Sequence, residues 1–156
     1  LVLIMDGDLS HPPSDIVRLY EEMSKGYDMV WASRYVKDGN MSKNESNIFQ
    51  FVLSLWFNYF LKYFLKLSVL DTTNGFFIFK KELLNGINCD EIFDGYGDFS
   101  FKLLYFLERK SKIKIKEIPT FYQVRINGQS KTKVIQVALL YLKESLKIKL
   151  NKFRCF

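Results

Sequence analysis

Two carboxylates, Asp6 and Asp8, stand one residue apart immediately after the apolar run Leu1-Val2-Leu3-Ile4-Met5. Such a run, cut off by turn chemistry, predicts a strand buried on both faces, as in a parallel sheet. In an extended chain, residues two apart point to one side, so Asp6 and Asp8 are expected to converge at the strand's carboxyl end. Open α/β sheets bind ligands at that edge. Gly7 between them has no side chain and lets a ligand approach the backbone. Two hard oxygen donors suit Mg²⁺ or Mn²⁺, which takes one or two carboxylates and fills its shell with water and substrate phosphate. The same residues also read as a polar Asp-Gly turn, with Asp8 or Ser10 capping the helix that follows.

Cations that would meet a phosphate lie further along. Arg34 ends a second apolar segment, and its sign suits phosphate beside a metal; the plainer reading is a surface salt bridge. The stretch Arg125-Ile-Asn-Gly128-Gln-Ser130-Lys131 is basic and contains a glycine. It reads as a lid on phosphate or as a solvated connector. The loop Asp94-Gly-Tyr-Gly-Asp98 is acidic and glycine-rich, and Asp98 is placed to cap the helix after it.

These residues need a scaffold. Pro12-Pro13-Ser14 predicts a helix start, with Ile16, Leu19, Tyr20 and Met23 on one face and Gly26 at its stop. Residues 28–33 predict the next strand. Strand, helix and strand imply a right-handed βαβ unit, which puts Arg34 at the sheet edge of Asp6 and Asp8. Residues 48–70 are strongly aromatic and near the length of a membrane span, but Lys62 and Lys66 are costly at bilayer depth. Such a segment is either an ordinary buried helix or one that is part core and part membrane-facing in the interfacial plane. Residues 71–76 form a polar turn before a strand at 77–80. Residues 99–110 are a helix, and 112–118 an amphipathic strand in which Lys and Ile alternate. Residues 121–124 continue it before the basic loop. Residues 134–152 are a helix whose Lys143, Lys147, Lys149 and Lys152 suit an anionic membrane surface.

The 156 residues suffice for one domain with a real core. Aromatic content is high at 17%, with 15 Phe and 9 Tyr. The net charge of +6 favours anionic partners. Nucleic acid ranks low among these, because the basic residues do not interleave with aromatics in a recognisable motif. Cys89 and Cys155 have no metal-ligand spacing and read as incidental thiols of a reducing compartment. No signal peptide is evident. Leu1 already lies within a strand, so an amino-terminal portion is expected to precede it.

Five stretches, Met5-Asp-Gly-Asp-Leu-Ser-His-Pro-Pro13, Ser33-Arg-Tyr-Val36, Asp71-Thr-Thr-Asn-Gly-Phe76, Lys116-Glu-Ile-Pro119 and Arg125-Ile-Asn-Gly-Gln-Ser-Lys131, occur in this order. Together they resemble the family-2 glycosyltransferases, in the dolichol-phosphate (polyprenyl-phosphate) mannosyltransferase-like branch. The resemblance implies an α/β, partial GT-A (Rossmann-like) fold, with residues 1–132 as the carboxyl-terminal part of the transferase domain. Residues 133–156 would be a basic amphipathic helix at the cytoplasmic face of a membrane. It also implies a nucleotide-diphosphate sugar donor and a polyprenyl or dolichyl phosphate acceptor. Asp6 and Asp8 match the metal-binding Asp-x-Asp, with Gly7 between them. Ser10 stands where many members have Gln, a possible further ligand. Arg34 matches an arginine near the phosphates, and Arg125, Ser130 and Lys131 match a loop that closes over them. The chain departs from the pattern at Gln50 and Phe77, where arginine is usual, and at Lys102, where glutamate is usual.

The implied chemistry asks for charge and position. A divalent cation stabilises the departing nucleoside diphosphate. A phosphate acceptor is already anionic and needs no general base. A sugar hydroxyl acceptor, as in polysaccharide synthesis, would need one, and Asp98 is the best candidate. A non-enzymatic alternative is an inactive, truncated membrane-surface module.

Overall fold

The computed structural model describes residues 1–8, 10–41, 48–122 and 134–150. A four-stranded sheet carries β1 (Val2–Ile4), β4 (Phe77–Phe79), β2 (Met29–Ser33) and β5 (Ile115–Pro119), in that spatial order. β4 runs antiparallel to both β1 and β2, whereas β2 and β5 are parallel. β1 and β2 therefore point the same way, and Asp6, Asp8 and Arg34 leave the sheet at one edge, as expected. The expected βαβ neighbours are not neighbours, because β4 is inserted between them. β1 is likewise half-buried rather than buried on both faces, since it stands at the edge of the sheet. A second, two-stranded sheet pairs β3 (Asn40–Met41) with β6 (Phe121–Tyr122) in parallel. At two residues, β3 carries too little pattern to mark a strand in the sequence.

The strands alternate as the two-residue period of a pleated sheet requires. Met29, Trp31, Phe77 and Phe79 face one side, and Val30, Ala32, Phe76 and Ile78 the other. Helix α1 (Ser14–Ser24) covers the second side with Leu19 and Met23, and stops before Gly26 at φ +92°. Its N-cap residue is Pro13, and no side chain caps it, so neither Asp8 nor Ser10 has the capping role. The first side is covered by α2 (Ile48–Leu65), the short α3 (Cys89–Phe93), α4 (Phe99–Lys110) and α5 (Val134–Lys149). From α2 come Leu61 and Leu65, from α4 Phe101, Leu103, Leu104 and Leu107, and from α5 Ile148.

Helix α2 ends five residues before the stretch of apolar sequence does. Lys66 takes a left-handed conformation at φ +56°, and the Leu67 amide donates back to the Lys62 carbonyl. That is the geometry of a helix C-terminus. Leu67 and Val69 then enter the core as loop residues. No helix among the described residues is long and apolar enough to cross a membrane.

Candidate active site

The turn at residues 71–76 was expected to be polar; it is also buried. Its backbone would be expensive to bury without partners, and three elements supply them. From β5, the Glu117 carboxylate accepts from the Leu70 and Asp71 amides. From α2, Asn58 Oδ1 accepts from Thr72 Oγ1 at 2.9 Å and the Thr73 amide at 3.0 Å. From β2, Trp31 Nε1 donates to the Asp71 carbonyl at 2.8 Å, and Asn74 Nδ2 donates to the Ala32 carbonyl at 2.7 Å.

The Asp71 carboxylate takes the cation expected for phosphate. It receives Arg34 Nε at 2.8 Å, Arg34 Nη2 at 2.6 Å and the Arg34 amide at 2.9 Å. The Arg34 side chain is 12% exposed and lies against the rings of Tyr35 and Tyr122. Burial opposes its charge, but the Asp71 carboxylate outweighs this and drives its pKa far above the usual range. Arg34 thus sits at the expected edge, and its fork is engaged in holding the turn.

The stapled turn delivers Gly75 beneath Asp6. A side chain there would begin 3.4 Å from Asp6 Oδ1 and 3.5 Å from Phe99 Cζ. The Asp6 side chain is 47% exposed, and its Oδ2 lies 3.3 Å from Nε2 of the fully buried His11. Asp8 Oδ1 accepts from the amide of Ser10 at 3.0 Å and from its hydroxyl at 2.5 Å. The Ser10 hydroxyl is therefore a brace for Asp8. Gly7 is exposed, with open space where a side chain would be.

The donor types at this edge, two carboxylates, are those a hard divalent cation takes. No group of three or more His, Cys, Asp or Glu side chains among the described residues gathers as a protein-only metal cage. Mg²⁺ and Mn²⁺ do not need one where one or two carboxylates and a diphosphate complete the shell. Asp6 and Asp8 are the residues that would hold such an ion, and it would stabilise negative charge developing beside it.

Asp98 departs from its expected role. It precedes α4, but its side chain does not cap the helix. Its carboxylate is buried, with Lys102 Nζ 2.5 Å from Oδ2. Lys102 also reaches the Asp94 carbonyl at 2.9 Å and lies 3.8 Å from Glu144 of α5. The position expected to be glutamate is thus the cation of a buried ion pair. Tyr141 of α5 packs on Phe57 and Phe101. Burial, aided by the negative charges of Asp98 and Asp6, keeps its hydroxyl protonated well above the usual tyrosine range. Arg125, Ser130 and Lys131 lie outside the described residues.

Reading residue types alone missed Asp71, Asn58, Asn74, Glu117 and His11. An asparagine inside an aromatic helix and a four-residue polar run before a buried strand were the available signals.

Residues 1–87 match the glycosyl transferase family 2 domain. A dolichol-phosphate mannosyltransferase of Pyrococcus furiosus is 30% identical over 143 residues, which is 84% of this chain and 36% of the relative. A polyprenol monophosphomannose synthase of Mycolicibacterium smegmatis is 28% identical over 128 residues, 81% of this chain and 47% of the relative. The chain therefore spans less than half the length of either relative.

Proposed function

The chain belongs to glycosyl transferase family 2, and from that premise we propose that it moves a sugar from a nucleoside-diphosphate donor to a polyprenyl phosphate, with a divalent cation. One observation carries the reading: an exposed carboxylate, Asp6, and a braced one, Asp8, at the sheet edge where β1 and β2 both end. The relatives' names support the acceptor class. The stapled turn and the Arg34–Asp71 pair give the edge a rigid base, which catalysis by positioning requires.

The sugar-hydroxyl alternative loses ground. It needs a base, and Asp98 is buried and paired with Lys102. A lipid phosphate brings its own charge.

A membrane surface is the natural place for such an acceptor. Val52, Trp56, Tyr59 and Tyr63 form an exposed stripe along α2. On α5, Ile135, Leu139 and Leu146 are exposed, as is Leu150 just past its end, and the helix also carries Lys143, Lys147 and Lys149. Aromatic rings and snorkelling lysines suit the headgroup boundary. We place the protein on the cytoplasmic face as a peripheral attachment.

The test offers the purified protein a panel of radiolabelled nucleotide sugars, with a short polyprenyl phosphate and Mn²⁺. Label should move into the organic phase and stay in water when the polyprenyl phosphate is omitted. Label transferred only to a water-soluble saccharide would overturn the acceptor assignment.

A further inference from the structure

His11 is the least explained group at this edge. Its side chain is fully buried. Neither ring nitrogen has a hydrogen-bond partner among the described residues. Buried polar atoms without partners are uncommon and costly, so each calls for a reason. Packing constrains this ring: Phe76 lies at 4.6 Å between centroids, and Tyr122 meets it edge-on at 5.2 Å. Held there, His11 keeps Nε2 3.3 Å from Asp6 Oδ2, close enough for a hydrogen bond but not aligned for one. The other oxygen of Asp6 faces Gly75, where no side chain intervenes.

We propose that His11 is the positioning residue of the cation site, donating its Nε2–H to Asp6 Oδ2 when Asp6 carries the ion. This rests on the cation reading above and extends it to a residue outside the Asp-x-Asp pair. The terminal torsion of an aspartate is soft, so rotation about Cβ–Cγ is the motion that would bring Oδ2 into line with the Nε2–H. With one oxygen held, the other stays turned toward the ion. Ligating carboxylates are commonly oriented by such outer partners, whose loss costs about 10- to 100-fold in metal affinity. The arrangement also explains a buried imidazole with apolar walls: the walls hold the ring and leave the carboxylate as its polar neighbour. His11 touches no reacting atom; it acts through Asp6.

The experiment measures Mn²⁺ binding by the intact chain through loss of the free-ion electron paramagnetic resonance signal, with Mn²⁺ alone and with a nucleoside diphosphate added. Three variants are compared with the parent. His11→Gln carries an amide N–H near the position of Nε2 and should keep most of the affinity. His11→Asn places it near Nδ1, away from Asp6, and should lose about 10-fold or more, as should His11→Leu. Thermal melting is recorded for each. If His11→Leu does not fold, the contrast between the Gln and Asn variants decides. Parent-like affinity in His11→Asn or His11→Leu overturns the role of His11 and leaves the cation reading intact. Affinity that falls only in step with melting temperature, equally in Gln and Asn, also overturns it. No Mn²⁺ binding by the parent overturns the cation reading itself, and this inference with it.

Discussion

Arg34 and Asp71 meet through two side-chain hydrogen bonds, at 2.6 and 2.8 Å, and the Arg34 amide adds a third to the same carboxylate. The pair joins the end of β2 to the turn that carries Gly75. Its bidentate geometry suits a guanidinium and cannot be copied by an ammonium. Removing one partner of such a largely buried pair should cost about 3–5 kcal/mol, because the other charge is left uncompensated. Arg34→Ala and Asp71→Ala, measured by urea unfolding, should each show a loss of this order. The double variant should lose less than the sum, with a coupling of about 1–3 kcal/mol. Additive losses, or a stable Arg34→Ala protein with weakened donor binding, would return Arg34 to a phosphate-binding role.

Asp28 makes a smaller clasp at the opposite end of β2. Lys80 Nζ donates to Oδ1 at 2.6 Å, and the Lys114 amide donates to Oδ2 at 2.9 Å. The Lys80 contact first, and the Lys114 amide second, hold its carboxyl below the ordinary 3.8. A depressed folded pKa contributes stability above the unfolded value and loses it as pH falls through the folded one. Asp28→Asn should therefore destabilise the protein at pH 7 by about 1 kcal/mol. The gap between parent and variant should close below pH 3.8. Melting temperatures across an acid pH series check this; a gap that persists in acid would mean that charge is not the source.

Much of the fold was legible because period and punctuation agree. The limits of α4 follow from its apolar face, and α1 begins at Ser14 and ends just before Gly26. Insertion of antiparallel β4 between β1 and β2 was not legible, since strand order depends on long-range pairing that no local pattern records. The same holds for the site. Asp6 and Asp8 announce themselves by spacing after an apolar run. Asp71 and Asn58 do not, because they meet their partners 37 and 14 residues away along the chain. The Asp98 expectation failed because Lys102, one helical turn on, supplies a stronger partner than the backbone amides. Lys66 ends α2 although nothing in its type demands a left-handed turn.

The exposed faces of α2 and α5 carry a prediction of their own. Binding to vesicles should rise with phosphatidylserine content and fall in high salt, since each basic residue near an anionic surface adds about 1 kcal/mol. Trp56→Ser with Tyr63→Ser should weaken binding without lowering the melting temperature, because both side chains are exposed. Alkaline carbonate should release the protein from membranes. Release only by detergent would contradict a peripheral attachment, and indifference to anionic vesicles would remove the membrane surface as a partner.

We propose that Asp6 and Asp8 hold a divalent cation on the donor diphosphate. The initial rate of sugar transfer to polyprenyl phosphate, for the parent and for Asp8→Asn, each with Mn²⁺ and with EDTA, tests this. Asp8→Asn keeps the size of the side chain that Ser10 braces and removes its charge. The Asp8→Asn rate should be lower by about 10²-fold or more, as befits lost transition-state charge stabilisation. The parent should be silenced by EDTA and restored by Mn²⁺ or Mg²⁺. A parent indifferent to EDTA, or an Asp8→Asn protein that turns over at the parent's rate, would contradict the proposal.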